Sequence, residues 1–282
     1  MKTREFGWPS DGGRKVYAIE WTPDDEASVR TVIAVTHGMG EHTGRYLHVA
    51  ESFTADGYAM LAFDQLGHGR TEGKRGHTNS YDDLLEGIDR MREEAARRFP
   101  GKPVILFGHS MGGNLTLNYL LRRKPDVAGA IVVGPWLKLA FDPPALQVAI
   151  ARVAQRIMPA YSNHRPFNPT HLTSDPVMLE RLREDKLGHG FITAKFFVSV
   201  HRAGYWALQH ATELSVPLLL MHGGADSVTS VAASRQFAAN AGPLCTYREW
   251  PGLRHELHNE LQREDVFRVM KAWLAERLAS VR

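Results

Sequence analysis

The stretch "VILFGHSMGGN", Val104–Asn114, reads as an apolar strand running into Gly108-His109-Ser110-Met111-Gly112 and then a helix. By itself G-x-S-x-G is a short pattern that chance can supply. Its flanks give it meaning. A sharp strand-to-helix turn leaves no room for side chains two residues before and after the serine, and it lifts the serine hydroxyl to the carboxyl edge of a sheet. The competing reading is a glycine-rich turn with an incidental serine, so the rest of the chain must decide.

Working outward, short apolar runs bounded by turn residues recur at Val32–Thr36, Tyr58–Phe63, Ala130–Val133 and Pro217–Met221. Runs of this length fit strands buried on both faces. Between them, "YDDLLEGIDRMREEAARRF" and "NLTLNYLLRRK" carry apolar residues at helical spacing and stop before "PGKP" and "PDVAG". Strand and helix in alternation predict an α/β fold with a mostly parallel sheet covered by helices on both sides. The alternating "KVYAIEW" reads as an edge strand of an antiparallel hairpin.

The alternation breaks after Pro135. Residues 136–210 are helical and loop-like, with several prolines, and form an expected cap inserted between core segments 1–135 and 211–282. Within the cap, Leu146, Ala149, Val153 and Ile157 recur at helical spacing, flanked by Arg152, Gln155 and Arg156. Such a stripe either packs on the core or touches a lipid surface.

Composition narrows the class further. With 282 residues, 43% of them hydrophobic, the chain can bury a large core. Its 34 Lys+Arg against 31 Asp+Glu give a net charge of +3, and the basic residues are scattered, which argues against nucleic-acid binding. The single cysteine, Cys245, falls in an expected strand as a small buried hydrophobe. One cysteine, and a first segment without an apolar signal core, lead us to expect a reducing, cytoplasmic setting. No apolar run is long enough for a membrane span, although peripheral contact through the cap stays open.

If Ser110 attacks a carbonyl, the developing oxyanion needs N–H donors. One would be Met111, at the start of the following helix, where the dipole also favours an anion. The second would come from "VIAVTHGMGEHTGRY", where a strand ends at Thr36, His37-Gly38 turns the chain and Met39 offers its N–H. The acid and base should follow the serine in the order Asp, His. "VPLLLMHGGADSVTS" supplies Asp226 just past a core strand. Beyond "CTYREWPG", the loop "LRHE" supplies His255, whereas His258 falls at the start of the last helix, where a surface residue is the alternative. We expect His255 to be the base. His37 and His42 lack a third partner, so no metal site is expected.

"HGMGEHTGRY", "FDQLGHGRTEG", "GHSMGGNL", "LLLMHGGADSVTS" and "GLRHELHNE", in that order, resemble the monoacylglycerol lipases and related lysophospholipases of the α/β-hydrolase superfamily. The resemblance covers about residues 15 to 280 and is weakest in the cap. It implies a Ser110 nucleophile, an Asp226 that orients His255, oxyanion donors at Met39 and Met111, a cap over an acyl channel and no cofactor. His68, in "DQLGHGRTEG", reads as structural support for the catalytic loops. The expected activity is hydrolysis of monoacylglycerols through an acyl-enzyme, with a lysophospholipase, a general carboxylesterase or a non-catalytic ligand-binding protein on the same scaffold as alternatives.

Overall fold

Every residue of Thr31–Thr36 is buried, Val32 and Ala34 in one hydrophobic cluster and Ile33 and Val35 in another. That alternation is the mark of a strand covered by helices on both faces. The computed structural model describes residues 1–10, 12–141, 145–164 and 168–279. Its main sheet is built from β1 (Lys2–Pro9), β2 (Lys15–Thr22), β3 (Thr31–Thr36), β4 (Tyr58–Phe63), β5 (Val104–His109), β6 (Gly129–Val133), β9 (Leu218–Gly223) and β10 (Cys245–Trp250), in the spatial order β1-β2-β4-β3-β5-β6-β9-β10. From β4 onward all neighbours are parallel; only β2 runs antiparallel to both of its partners. The carboxyl ends of β3, β5, β9 and β10 therefore share one edge of the sheet, where ligands bind in such folds.

Helices cover both faces. One side carries α2 (Tyr81–Arg98), α3 (Met111–Arg123), α6 (Ala194–Gln209) and α7 (Val231–Ala241); the other carries α1 (Leu47–Thr54) and α8 (Arg263–Ala279). Ser80 caps α2 by accepting from the Asp83 N–H, and acidic Asp82 and Asp83 in its first turn suit the helix dipole.

"KVYAIEW" is an internal strand rather than the expected edge. The preceding residues, Lys2–Pro9, pair along its whole length and take the edge position, which leaves β2 largely buried between β1 and β4. Charged and exposed side chains on β1 are a sound composition for a free edge. At the opposite edge, Cys245 begins β10 and is half-buried, and burial pushes its thiol up to about 12.

The segment between β6 and β9 holds α4 (Ala145–Ile157), α5 (Pro176–Glu184) and a two-stranded ribbon of β7 (Ser162–His164) and β8 (Phe191–Thr193), before ending in α6. Although α6 falls within the stretch read as a cap, it lies on the core helix α3. The buried Asn114 Nδ2 donates to the Trp136 and Val200 carbonyls at 2.7 and 3.1 Å, and Asn118 Nδ2 donates to the Ala203 carbonyl at 3.1 Å. Such buried bonds leave costly unpaired carbonyls if broken. The stripe on α4 does not pack on the core: Leu146, Val153 and Ile157 are 72%, 56% and 73% exposed. None of the helices among the described residues is long and apolar enough to cross a membrane.

Candidate active site

Ser110 sits between β5 and α3 with φ 54° and ψ −115°, a conformation that costs a non-glycine residue about 1–3 kcal/mol. Its backbone is held from both sides. Its N–H donates to the Val133 carbonyl at 3.0 Å, and its own carbonyl accepts from the N–H groups of Asn114 and Trp136 at 3.0 and 2.9 Å. The flanking glycines are required by contact: a Cβ on Gly112 would lie 2.0 Å from the Thr36 oxygen, and one on Gly108 would lie 2.4 Å from Thr116 Oγ1. Packing that tight joins the serine turn to the end of β3. The strand-to-helix turn expected for "GHSMG", with glycines required on both sides of the serine, is present.

Past Thr36, His37 pins the next loop. Its Nδ1 donates to the Gly38 carbonyl at 2.8 Å and its Nε2 accepts from the Gln65 N–H at 3.0 Å. His68 lies against it, with ring centroids 5.3 Å apart, and also against His189 at 4.6 Å. Met39, beyond this turn, and Ser110 line the same cavity, while Met111 is buried at the first position of α3.

Asp226 and His255 meet across two loops. His255 Nδ1 donates to Asp226 Oδ2 at 2.7 Å. The other carboxylate oxygen, Oδ1, accepts from the N–H groups of Val228 and Thr229 at 2.7 and 3.0 Å. Oδ2 takes two further bonds that sequence reading missed, from His222 Nε2 at 2.9 Å and Thr229 Oγ1 at 2.8 Å. Burial opposes the charge on Asp226, yet the adjacent His255 and the hydrogen bonds outweigh it and hold the carboxyl below the usual carboxylate range. His222, four residues before Asp226 in "MHGGAD", carried no pattern that distinguishes it from a strand residue; only the tertiary contact does.

His258 is not on the surface of a helix start. It lies in a short turn, Leu257–Asn259, and α8 begins at Arg263. Its ring is buried, stacks on Tyr46 at 5.3 Å and faces His109 edge-on at 4.9 Å. Burial, with His109 adding to it, pushes its protonation well below the usual histidine range.

His109 forms a second buried pair. Its Nδ1 lies 2.8 Å from Glu41 Oε1, and the Tyr46 hydroxyl donates to Glu41 Oε2 at 2.8 Å. Burial disfavours the charged ring, but Glu41 outweighs it and raises the His109 pKa, while Glu41 is held well below its ordinary value. The motif "HGMGEH" contained Glu41 without showing its partner, which lies 68 residues away.

The loop carrying His255 is fastened to the segment between β6 and β9. Glu260, fully buried, accepts from the Arg254 N–H at 2.7 Å with one oxygen and from the Ser174 N–H at 2.9 Å with the other. The Glu256 N–H donates to the Leu172 carbonyl at 2.8 Å, and Arg254 reaches the carbonyls of Thr170 and Thr173.

A cavity of about 950 Å³ opens above Ser110 and His255. Leu139, Val148, Ala151, Ala154, Leu172 and Phe197 give it an apolar wall; Glu41, Arg45, Asp185 and Glu256 form a polar side. Arg45 Nε donates to Asp185 Oδ2 at 2.7 Å, its guanidinium is 3.7 Å from Glu256, and His42 Nε2 lies 2.9 Å from Asp185 Oδ1. No group of three or more metal-ligating side chains with suitable geometry occurs among the described residues.

A model of the serine aminopeptidase S33 family matches residues 27–262. The monoacylglycerol lipase of Mycolicibacterium smegmatis is 30% identical over 276 residues, covering 97% of this chain and 98% of its own. This chain belongs to the monoacylglycerol lipase family. Within the α/β-hydrolase superfamily, the crystal structure of the Paleococcus ferrophilus monoacylglycerol lipase superposes with a TM-score of 0.83 at 30% identity, covering 98% of this chain and 100% of that one. An uncharacterized abhydrolase domain-containing protein of Dictyostelium discoideum is 32% identical over 267 residues, and the chain spans 28% of its length. Membership of this lipase family makes the chain a serine hydrolase acting on carboxylic esters.

The buried histidines generate a pH dependence. His189, on the cavity wall, is lowered to about 4 by burial and by the nearby Arg75, and burial also lowers His37, His68 and His258. The unfolded chain takes up protons near pH 6.5 that these rings refuse, so their contribution to stability is full above that pH and falls as pH drops toward 4, while His109, raised by Glu41, contributes in the opposite sense. Urea unfolding at pH 7.5, 6.0 and 5.0 should show this loss, and His189→Gln, which keeps a donor for the Gly67 carbonyl, should flatten it. Equal stability at all three pH values would refute the effect.

Proposed function

We propose that the chain hydrolyses monoacylglycerols to glycerol and a fatty acid, with Ser110 as nucleophile, His255 as general base and acid, and Asp226 as the group that orients His255. The observation that carries this reading is the cavity: it is lined by the strained serine and by the imidazole bonded to a carboxylate, and most of its remaining lining is apolar. A volume of about 950 Å³ stands at the upper end of the roughly 300–1,000 Å³ of ligand pockets, enough for an acyl chain with its alcohol.

In the first half-reaction His255 Nε2 takes the Ser110 proton as Oγ attacks the ester carbonyl. The oxyanion accepts from the N–H groups of Met39 and Met111, each such donor contributing about 3–4 kcal/mol to transition-state stabilisation. Collapse breaks the bond to the alcohol, which leaves with the proton from His255. Water then attacks the acyl-enzyme, giving its proton to His255, and the fatty acid departs as Ser110 regains a proton.

The polar side of the cavity supports a neutral polyol as leaving group. Among the described lining residues Arg45 is the one lysine or arginine, and it is committed to Asp185 and Glu256. A phosphate would meet three carboxylates there, which disfavours the lysophospholipase reading.

We also assign the exposed face of α4 to peripheral contact with lipid. Leu146, Val153 and Ile157 project outward, and residues 143–174 contain three arginines and no Asp or Glu. Apolar side chains beside cations suit an anionic lipid surface.

Three measurements test this function. Ser110→Ala and His255→Ala should each lower kcat on a p-nitrophenyl ester by about 10³-fold or more, whereas His258→Ala should keep most of the turnover of a folded enzyme; undiminished hydrolysis by Ser110→Ala would remove the nucleophile. On a panel of monoacyl- and triacylglycerols, lysophosphatidylcholine and short esters, monoacylglycerols should give the highest kcat/KM and triacylglycerols the lowest, and a faster rate on lysophosphatidylcholine would overturn the substrate assignment. Val153→Glu with Ile157→Glu should abolish co-sedimentation with anionic vesicles while leaving short-ester hydrolysis intact; unchanged sedimentation would place lipid contact elsewhere.

A further inference from the structure

Two histidines converge on one oxygen of Asp226. His255 Nδ1 and His222 Nε2 stand 2.7 and 2.9 Å from Oδ2. His222 comes from β9, in the alternating position that faces α7, and its Nδ1 lies 2.8 Å from Ser234 Oγ on that helix. Both ring nitrogens of this fully buried side chain are thus engaged. Because the ionised Asp226 carboxylate can only accept, the ring proton belongs on Nε2, which leaves Nδ1 to accept from the Ser234 hydroxyl.

Orientation of the carboxylate does not require this bond. Oδ1 is already held by the Val228 and Thr229 N–H groups, and Thr229 Oγ1 also reaches Oδ2. What His222 adds is a donor on the very oxygen that faces His255. A donor there withdraws negative charge from the acceptor of the Nδ1–H bond and weakens its stabilisation of an imidazolium. We propose that His222 is a positioning residue that acts through Asp226, moderating the carboxylate so that His255 stays in its neutral, proton-accepting form to lower pH. This inference rests on the assignment of Ser110, Asp226 and His255 above.

Other groups face the same cluster and are kept unchanged in the test. His109 on β5 has its ring 4.8 Å from that of His255, with Glu41 behind it. Glu256 and His258 share the His255 loop, and His171 bonds Ser227 beside Asp226. Glu249 stands opposite His222 in the β9–β10 register and is paired with Arg235 of α7.

The test is the pH profile of kcat/KM on a soluble p-nitrophenyl ester, whose acid limb reports the free enzyme's base. His222→Leu removes the donor and should move that limb upward by about 0.5 to 1 pH unit, with the alkaline plateau within about threefold of the unsubstituted enzyme. His222→Gln keeps an N–H donor at the Nε2 position and should leave the limb in place. Should His222→Leu fail to fold, Ser234→Ala, which releases the ring's tautomer, should shift the limb in the same direction by a smaller amount. A melting temperature that falls in the variants while the acid limb stays fixed would overturn the proposal and leave His222 a packing residue. An equal limb shift in the Leu and Gln variants would overturn it too. If instead Ser110→Ala still hydrolyses the ester, the assignment of the site itself falls, and the two failures are told apart.

Discussion

The backbone of Ser110, held at φ 54° between β5 and α3, is the constraint on which the rest of the molecule is arranged. A serine does not adopt this conformation for its own sake. It is kept there because Val133, Asn114 and Trp136 take up its backbone polar groups, and because Gly108 and Gly112 let β3, β5 and α3 approach within what a methyl group would forbid. From that contact follow the order of the central strands, the shared edge at which β9 and β10 deliver Asp226 and His255, and the placing of α3 so that Asn114 and Asn118 seize α6. Strain at one residue is spread over many ordinary contacts.

Electrostatics organise a second layer around this turn. Two buried carboxylates, Asp226 and Glu41, each serve an imidazole, and the imidazoles are neighbours. An isolated charge in such surroundings would be costly, and each carboxylate is offset by several donors. The neutral histidines around them, His37, His68 and His258, pack as polar-edged aromatic rings whose burial keeps protons off. Fourteen histidines in the chain are therefore not fourteen candidates for chemistry; His37, His68 and His258 are as buried as His255, which differs from them by its bond to Asp226.

Much of this was legible in the sequence. The core strands, the parallel order and the serine turn follow from local pattern, since buried parallel strands are written as apolar runs and the glycine spacing answers a steric demand within five residues. Ser110, Asp226 and His255 could be singled out as candidates because each follows a strand that local pattern reveals. The errors share one physical cause, which is that the deciding neighbour was far away in sequence. The alternation in "KVYAIEW" describes one strand and cannot tell whether Lys2–Pro9 will pair outside it. His258 looked like the start of a helix because its burial depends on Tyr46 and His109, and the stripe on α4 could not reveal whether anything would cover it. His222 and Glu41 were invisible for the same reason.

Glu260 divides the segment between β6 and β9 into two mechanical parts. By tying the backbone just before His255 to Ser174, it makes residues 170–174 part of the seat of the imidazole, so that this side of the segment cannot swing without disturbing the loop. The outward helix α4 has no such tether in the described structure; its inner side chains meet the cavity and its outer ones meet solvent. Tolerance to sequence change should be divided along the same line. Substitutions on the outer face of α4 can change the surface it presents to solvent, and those on its inner face what the cavity admits, without either reaching the atoms that hold the imidazole in register.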